Sequence, residues 1–377
     1  MDIYVVKTGD TVDKIAEQFS VSAESIIWNN QLVAPYPLAV GQALLLGELE
    51  TGSPLRTQNQ AGGYAYTYIS PWVLDQTNPY LTRLFVFSYG FTTEGEIIQP
   101  PREDDWMIQK SLEQNTIPVL TLTPFGLDGK FNNNLIHQVV TNTEVTDRLL
   151  NNLVFFMQEK GFGGIDIDFE YILAEDRDSF TAFVNRAVQI MHPYGFEVSV
   201  ALAPKTSADQ KGLLYEGKDY AALGAAADQV LLMTYEWGYK YGPPMAVAPL
   251  NMVRRVVDYA ITEIEPSKIN LGIANYGYDW PLPFVRGETE ARTIGNVEAV
   301  QIAIRYGAEI QFDETAQSPY FYYMDEEGTE HVVWYEDVRS LEQKYQLLDD
   351  YGLNGIGVWQ VMRWYRAMWL LFASILP

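Results

Sequence analysis

The sequence predicts an α/β fold: a closed (β/α)8 TIM barrel with an insertion between its seventh and eighth strands, preceded by a small N-terminal βααβ domain. Three observations predict it. Eight short apolar runs occur after residue 63, amphipathic helical patterns separate them, and a stretch without periodicity divides them from the first 47 residues. Strands that alternate with helices pair in parallel through crossovers, and eight such units close into a barrel.

The composition of the chain argues against several classes of function. The chain has 377 residues and a net charge of −24, which would repel phosphates, so we expect no nucleic-acid partner. It contains no Cys, and His137, His192 and His331 show no metal-ligand spacing. We therefore expect neither a zinc site nor a serine triad, and no metal or cofactor.

The N-terminus gives no sign of targeting. Its polarity interrupts any secretory apolar segment, and the chain contains no run of about 18 apolar residues that would suit a membrane span. We expect a soluble protein made without a cleavable signal peptide, with no membrane partner.

The first domain is predicted at residues 1–47. Its pattern is strand, helix, helix, strand, with Asp10 or Thr11 capping the first helix and Ser22 the second. It resembles a LysM domain in the elements Gly9-Asp10-Thr11, Asn30-x-Leu32 and Val-Gly-Gln. The resemblance implies that Gly9, Asp10, Thr11, Asn30 and Leu32 contact an N-acetylglucosamine polymer in a groove between two loops. A small packing module without a function is the alternative.

Residues 48–63 are rich in Gly, Thr and Gln and are predicted to form a linker, which leaves 64–377 for the barrel. The predicted strands are Tyr64–Ile69, Leu84–Tyr89, Ile117–Leu122, Gly164–Glu170, Glu197–Ala203, Gln229–Tyr235, Lys268–Ala274 and Gly355–Gln360. A doubly wound open sheet is the alternative, but no Gly-rich phosphate turn follows a strand. Within the insertion, Tyr320–Asp325 and His331–Tyr335 flank Glu-Glu-Gly-Thr and predict a hairpin.

The fourth predicted strand carries an unusual row of acids. Side chains alternate along a strand, so Asp166, Asp168 and Glu170 share one face while Ile and Phe residues occupy the other. Carboxyls about 7 Å apart inside a barrel repel one another, so at least one of the three should hold a proton at neutral pH. Stability gains nothing from this row, and we therefore interpret it as catalytic.

Three other interpretations of the row are possible. A calcium loop would need Gly and Glu where the chain has Tyr171 and Arg177. An edge strand could direct the acids to water, although the apolar alternation and the following helix favour a central strand. A magnesium site for phosphoryl transfer would lack a phosphate loop.

The segment Gly163–Tyr171 resembles the D-G-x-D-x-D-x-E signature of glycoside hydrolase family 18, with Gly163 in place of the first Asp. Met233-Thr234-Tyr235-Glu236 resembles the family element M-x-Y-D, with Glu for Asp. Trp359 matches the Trp beneath the sugar subsite, and Leu271–Gly277 is similar to the seventh-strand segment. The third-strand S-x-G-G is missing from Thr121–Pro124.

The resemblance implies retaining, substrate-assisted hydrolysis. Glu170 would protonate the leaving oxygen, and Asp168, sharing a proton with Asp166, would stabilise an oxazolinium intermediate. Tyr235 would hold the acetamido oxygen and Trp359 would stack on the sugar. Met233, Glu236 and Tyr276 are predicted as further substrate contacts.

Both domains therefore point to the same sugar. Together they resemble the spore-germination cortical fragment-lytic N-acetylglucosaminidases, which implies cleavage of β-1,4 bonds after N-acetylglucosamine in peptidoglycan. The partner would be peptidoglycan or another N-acetylglucosamine glycan, the protein a monomer, and its location the spore coat or cortex or the cell wall. A chitinase on the same machinery and a non-catalytic carbohydrate-binding spore-coat protein are the alternatives.

Overall fold

The computed structural model describes residues 1–49, 52 and 54–375. Positions 50, 51 and 53 of the predicted linker, and 376 and 377 at the end of the predicted barrel domain, lie outside the described residues. Within the described part of the chain, no helix is long and apolar enough to cross a membrane.

The N-terminal domain has the predicted βααβ order: β1 (Asp2–Val5), α1 (Val12–Phe19), α2 (Ala23–Asn29) and β2 (Ala43–Leu46). β1 and β2 pair antiparallel. Thr11 caps α1 by accepting a hydrogen bond from the Lys14 amide, and Ser22 caps α2. Asp10, the other candidate cap for α1, instead accepts from the Lys7 amide and the Tyr4 hydroxyl, because it lies in the loop that turns back on β1.

The later strands are, in chain order, β3 (Gln60–Tyr66), β4 (Arg83–Phe91), β5 (Ile97–Ile98), β6 (Ile117–Leu122), β7 (Gly164–Ile167), β8 (Glu197–Leu202), β9 (Gln229–Leu232), β10 (Ile269–Ala274), β11 (Gly277–Pro281), β12 (Arg292–Ile294), β13 (Gln311–Asp313), β14 (Ser318–Met324), β15 (Glu330–Trp334) and β16 (Gly355–Trp359). Eight of them, β3, β4, β6, β7, β8, β9, β10 and β16, pair in parallel, and β16 returns to β3 to close the barrel. The predicted (β/α)8 TIM barrel is confirmed.

The helices after the first domain are α3 (Pro71–Thr77), α4 (Asp105–Glu113), α5 (Asn134–Val140), α6 (Thr143–Lys160), α7 (Arg177–Met191), α8 (Tyr220–Ala226), α9 (Leu250–Glu263), α10 (Asn296–Tyr306), α11 (Val338–Tyr351) and α12 (Arg366–Ile375). In α6, Asn142 caps the N-terminus and Gly161, at φ +88°, ends the helix in a left-handed conformation. Its apolar stripe, including Leu149, Leu153 and Met157, is fully buried. Helices of this kind cover the outside of the barrel and form one continuous core with its strands.

Three barrel strands, β3, β7 and β9, differ from the prediction by three residues or more. β3 ends at Tyr66 and β9 at Leu232, where Ile69 and Tyr235 were predicted. β3 begins at Gln60, inside the stretch predicted as linker, because Gly62 and Gly63 leave room for close packing: a Cβ on Gly62 would lie 2.6 Å from the Phe85 ring. β7 ends at Ile167, before the predicted Glu170. The Asp168 amide still donates to the Leu122 carbonyl, after which the chain leaves the barrel wall.

The insertion between the seventh and eighth barrel strands, β10 and β16, forms a five-stranded antiparallel sheet in the order β12-β11-β15-β14-β13. The predicted hairpin is β14–β15, with Tyr320 opposite Trp334. α10 packs on this sheet through a small separate core that includes Ala299, Phe321 and Val333.

The N-terminal domain docks on the last part of the chain. The Gln31 side chain donates to the Trp364 carbonyl (3.2 Å) and accepts from the Arg366 amide (2.7 Å). The Arg366 guanidinium lies 4.3 Å from the centre of the Trp28 ring, a cation–π geometry.

A second contact joins the same domain to the insertion. The Val40 carbonyl accepts a hydrogen bond of 2.9 Å from the Ile310 amide. Gly41 has φ +84°, and a Cβ there would lie 1.8 Å from the Ile310 carbonyl oxygen. Only glycine allows this approach. The N-terminal domain is therefore fixed to both the barrel and the insertion.

Candidate active site

The three acids of β7 and its following loop lie at the carboxyl end of the barrel. Asp166 is fully buried, Asp168 is 8% exposed, and Glu170 is half-buried. The alternate residues are buried on the opposite face, where the Phe169 ring stacks on Phe183 of α7. The acids are therefore directed toward the inside and the mouth of the barrel, where active sites of this fold form.

A cavity of about 250 Å³ opens at this mouth. Asp168 and Glu170 line it together with Tyr171 and residues of the loop after β6, namely Pro124, Phe131 and Asn133. Asp166 lies deeper, inside the barrel. A ligand in the cavity would reach Asp168 and Glu170, and would reach Asp166 only through them.

Asp166 is held by two hydroxyl groups. The Tyr64 hydroxyl on β3 donates to its Oδ2 atom at 3.0 Å, and the Ser199 hydroxyl on β8 donates to its Oδ1 atom at 2.6 Å. Burial raises the pKa of Asp166 to about 6, although both hydrogen bonds and Lys218 act in the opposite direction. Asp166 is thus fixed in orientation and titrates close to neutral pH.

Asp168 is more strongly perturbed. Burial raises its pKa well above the ordinary value, and the neighbouring Glu170 and Asp166 raise it further. Its Oδ1 atom is buried and has no hydrogen-bond partner within the described residues. An unpartnered buried oxygen is costly, so this atom is suited to accept a hydrogen bond from a bound ligand.

Tyr235 follows β9 and faces the same acids. Burial raises its pKa well above the ordinary value, and the charges of Asp168, Glu170 and Asp166 add to the effect. Its hydroxyl therefore keeps its proton and remains a hydrogen-bond donor. Met233, two residues earlier, packs beneath the site against the cluster formed by Tyr64, Phe85 and their neighbours.

Glu236 has a left-handed backbone, at φ +65°, which is uncommon for a non-glycine residue. Its Oε1 atom accepts hydrogen bonds from the Tyr276 hydroxyl and, at 2.8 Å, from the Tyr278 hydroxyl. Tyr276 itself is buried. The structure therefore places Tyr276 behind Glu236, as its support.

Trp359 ends β16 at the barrel mouth and is half-buried. Phe87 lies edge-on to its indole ring at 4.9 Å, and the Tyr64 and Tyr66 rings both lie at 5.9 Å. These contacts fix the plane of the indole, which an aromatic stacking platform requires.

The residues singled out in the N-terminal domain divide into two groups. Gly9 and Thr11 are exposed in the first loop, and Asp10 holds the shape of that loop. The Asn30 amide donates to the Ile26 and Leu45 carbonyls and accepts from the Leu45 amide, while Leu32 belongs to the domain core. Asn30 and Leu32 therefore support the second loop from inside.

Sequence reasoning missed three residues of the site. Tyr64 and Ser199 lie on predicted strands, but only the barrel register brings their hydroxyls to Asp166. Lys218 lies in the loop between β8 and α8, where no pattern marks it, yet its side chain is fully buried. Burial lowers the pKa of Lys218, and the charges of Asp168, Glu170 and Asp166 oppose that change. Within residues 1–49, 52 and 54–375, no group of three or more His, Asp or Glu side chains is arranged to hold a metal ion.

Comparison with known proteins agrees with this geometry. Residues 125–363 match the family Glycosyl hydrolases family 18, and residues 4–47 match the LysM domain. The chain is 36% identical to the "Cortical fragment-lytic enzyme" of Bacillus subtilis (strain 168), over 99% of this chain and 98% of that protein.

Solved structures show the same likeness. The spore cortex-lytic enzyme SleL of Bacillus megaterium QM B1551 superposes with a TM-score of 0.92 at 33% identity, over 100% of this chain and 98% of that one. A chitinase from Chromobacterium violaceum superposes with a TM-score of 0.76 at 26% identity, over 83% of this chain and 98% of that one. The first of these matches covers the N-terminal domain as well as the barrel.

Proposed function

The chain belongs to glycosyl hydrolase family 18 and is a glycosidase, and from this premise we propose that it cleaves β-1,4 bonds after N-acetylglucosamine in fragments of spore-cortex peptidoglycan. The observation that carries the proposal is the inward row Asp166, Asp168 and Glu170, of which Asp168 and Glu170 line the cavity at the barrel mouth. The full-length likeness to cortex-lytic enzymes supports the substrate, and so does the attached LysM domain.

In the proposed first step, Glu170 donates its proton to the oxygen of the departing sugar. Glu170 suits this role because it lines the cavity beside Asp168 and lies nearest the opening of the three acids. The acetamido oxygen of the retained sugar attacks the anomeric carbon as the glycosidic bond breaks. In the second step, water attacks the anomeric carbon and gives its proton to Glu170, and the bond from that carbon to the acetamido oxygen breaks. The product is then released with retained configuration.

Asp168 and Asp166 act as a pair in this proposal. The unpartnered Oδ1 atom of Asp168 accepts the hydrogen bond of the acetamido N–H and stabilises the positive charge of the oxazolinium intermediate. Asp166, held by Tyr64 and Ser199, shares a proton with Asp168 and sets its orientation. Because the Asp168 carboxyl is already fixed in the orientation that the positive charge requires, it stabilises the transition state without having to reorient during the reaction.

Tyr235 and Trp359 position the sugar. The Tyr235 hydroxyl, which keeps its proton, donates to the acetamido oxygen and aligns it for attack. Trp359 stacks on the apolar face of the ring. Glu236 completes the substrate side of the site, Tyr276 acts through Glu236, and Met233 supports the site from beneath.

The N-terminal domain would bind the same glycan through its first loop, at Gly9, Asp10 and Thr11, while Asn30 and Leu32 keep the second loop in place. A single copy would bind weakly, since avidity needs several linked sites. The cortex substrate places the protein at the spore coat or cortex or at the cell wall in this proposal, and we propose that it acts there as a monomer.

The test is digestion of purified cortex muropeptides and of chitin oligomers, followed by mass analysis of the products. The proposal predicts fragments from the muropeptides with N-acetylglucosamine at the new reducing end. Release from chitin alone would assign the protein to the chitinases and overturn the cortex substrate. Binding to both glycans without any release would favour a carbohydrate-binding protein.

A further inference from the structure

Lys218 is a buried cation that the mechanism above does not use. Its side chain is fully buried in the loop between β8 and α8, and its Nζ atom donates to the Ala201 carbonyl at 3.1 Å. A buried ammonium is costly unless opposite charges or hydrogen bonds compensate it. The charges that compensate it lie in the active site.

The strand register places this ammonium at the level of Asp168. The β7–β8 pairing ends with Ile167 opposite Val200, so the next step along both chains brings Asp168 beside Ala201, whose carbonyl accepts from Lys218. Neighbouring strands lie about 4.8 Å apart. The Lys218 ammonium therefore lies at the same level of the barrel as Asp168, although no direct ion pair joins the two side chains within the described residues.

The loop that carries Lys218 is closely packed against the chain after β7. A Cβ on Gly217 would lie 2.3 Å from the Ile172 carbonyl oxygen, so only glycine fits there. The Lys218 carbonyl accepts a hydrogen bond of 2.9 Å from Nζ of Lys205. These contacts leave the Lys218 side chain little freedom to move away from the acids.

We propose that Lys218 is a positioning residue of the glycosidase reaction: its ammonium keeps one negative charge on the Asp166–Asp168 pair, so that Asp168 is anionic when the oxazolinium forms. The inference rests on the proposed roles of the two acids. Two carboxyls buried together without a cation would bind more protons, and a neutral Asp168 would lose most of its attraction for the intermediate.

Other titratable groups around the pair do not supply this positive charge. They are Glu170 on the same segment, Tyr64 and Tyr66 on β3, and Tyr235 and Glu236 after β9. All of them are neutral or negative. Among these neighbours Lys218 alone lowers the pKa of Asp166 and of Asp168 by its charge, and the acids in turn oppose the lowering of its own pKa by burial.

The test compares the Lys218→Met variant with Lys205→Met. Lys205 is an equally buried lysine of the same loop, and its Nζ atom likewise donates to carbonyl groups, those of Ala208 and Lys218. The acids that act on its charge are Asp219, Glu263 and Asp209, which lie outside the catalytic row. In Lys218→Met, the acid limb of the pH profile of kcat should move up by about one to three pH units, the size expected on losing a neighbouring charge. At pH 6, kcat should fall at least tenfold with little change in KM. In Lys205→Met the acid limb should stay in place.

Lys218→Arg should restore the position of the limb, because it restores the charge. If Lys218→Met does not fold, Lys218→Gln tests the same loss of charge with a shorter side chain. If the acid limb moved equally in Lys218→Met and Lys205→Met, the cause would be a disturbed loop conformation and not the loss of the Lys218 charge. That result would overturn the inference. So would an unshifted limb in the neutral Lys218 variants.

Infrared titration of the carboxylic C=O band provides a readout that does not depend on turnover. The neutral variants should hold an additional protonated carboxyl at pH 7, and an unchanged band would contradict the inference. If the unsubstituted protein cleaves no glycan, the proposed function fails, whereas the infrared result still decides whether Lys218 sets the charge of the pair.

Discussion

Ser199 donates a 2.6 Å hydrogen bond to Asp166 across the parallel strands β7 and β8, and the strand register makes the two residues direct neighbours. The Tyr64 hydroxyl donates to the other carboxyl oxygen, so the two hydrogen bonds together fix the orientation of Asp166 inside the barrel. The carboxyl is nevertheless fully buried. The orientation of the Asp166 carboxyl is therefore fixed, and what changes with pH is its protonation state.

The first prediction concerns stability and pH. The pKa of Asp166 rises from 3.8 to about 6 on folding, so this group stabilises the folded state fully below pH 3.8, and the contribution is lost as the pH rises through 6. The free energy of unfolding of the unsubstituted protein, minus that of Asp166→Asn, should therefore fall by roughly 2.5 kcal/mol between pH 4 and pH 7.5. Urea unfolding of both proteins at a series of pH values measures this difference.

Asp147→Asn provides a control of opposite sign. The hydrogen bond from Arg186 lowers the pKa of Asp147, so its contribution is present above the unfolded pKa and is lost as the pH falls. The corresponding difference should rise with pH, and should be small because solvent reaches the pair and screens it. A difference for Asp166→Asn that does not change with pH would contradict the prediction.

The second prediction concerns the proton donor. Glu170→Gln keeps the shape and the hydrogen-bonding capacity of the side chain but removes the proton, so kcat should fall by about 100- to 10,000-fold. Saccharide binding, measured by calorimetry, should persist. Glu159→Gln, on the exposed face of α6, should leave kcat unchanged. Turnover by Glu170→Gln at the original rate would remove Glu170 from the mechanism.

The third prediction concerns the stacking platform. Trp359→Ala removes the ring that Phe87 and Tyr66 hold in place, and should raise KM for cortex fragments about tenfold. Trp359→Phe keeps part of the aromatic surface and should give an intermediate KM. Steady-state kinetics of the two variants test the assignment, since equal values for Ala and Phe would show that stacking is not what Trp359 provides.

The fourth prediction concerns docking of the N-terminal domain. Gly41→Ala forces a Cβ against the Ile310 carbonyl at a positive φ, and should lower the free energy of unfolding by about 3 kcal/mol. Gly9→Ala has the same backbone strain at φ +85° but meets open space, so about 1 kcal/mol is expected. Thermal unfolding compares them. Equal losses would mean that the contact with Ile310 does not hold the domain.

Local patterns were sufficient to predict much of the fold. The alternation Ile-Asp-Ile-Asp-Phe-Glu located the buried and inward faces around β7, and the helical stripe Leu149–Met157 corresponds to the buried side of α6. The hairpin around Gly328 also follows from its turn residues. In each case the determining contacts lie within a few residues of one another.

Features that depend on register or on distant packing were not predictable. Ser199 and Tyr64 reach Asp166 from strands 33 and 102 residues away in the chain, and the inward faces of those strands look ordinary in sequence. Gly62 and Gly63 resembled linker because their role depends on Phe85 and Leu81, which pack over them. Lys218 reaches the acids from a loop, where no periodicity constrains its direction.

The contact of Gln31 with Trp364 and Arg366 joins positions more than 300 residues apart. During translation, the N-terminal domain leaves the ribosome long before its docking surface, which is made only after all eight barrel strands. The N-terminal domain therefore has no access to this surface until the last barrel strand has been synthesised. Docking of the domain on Trp364 and Arg366 is then a late step, because it requires the part of the chain that follows the eighth barrel strand.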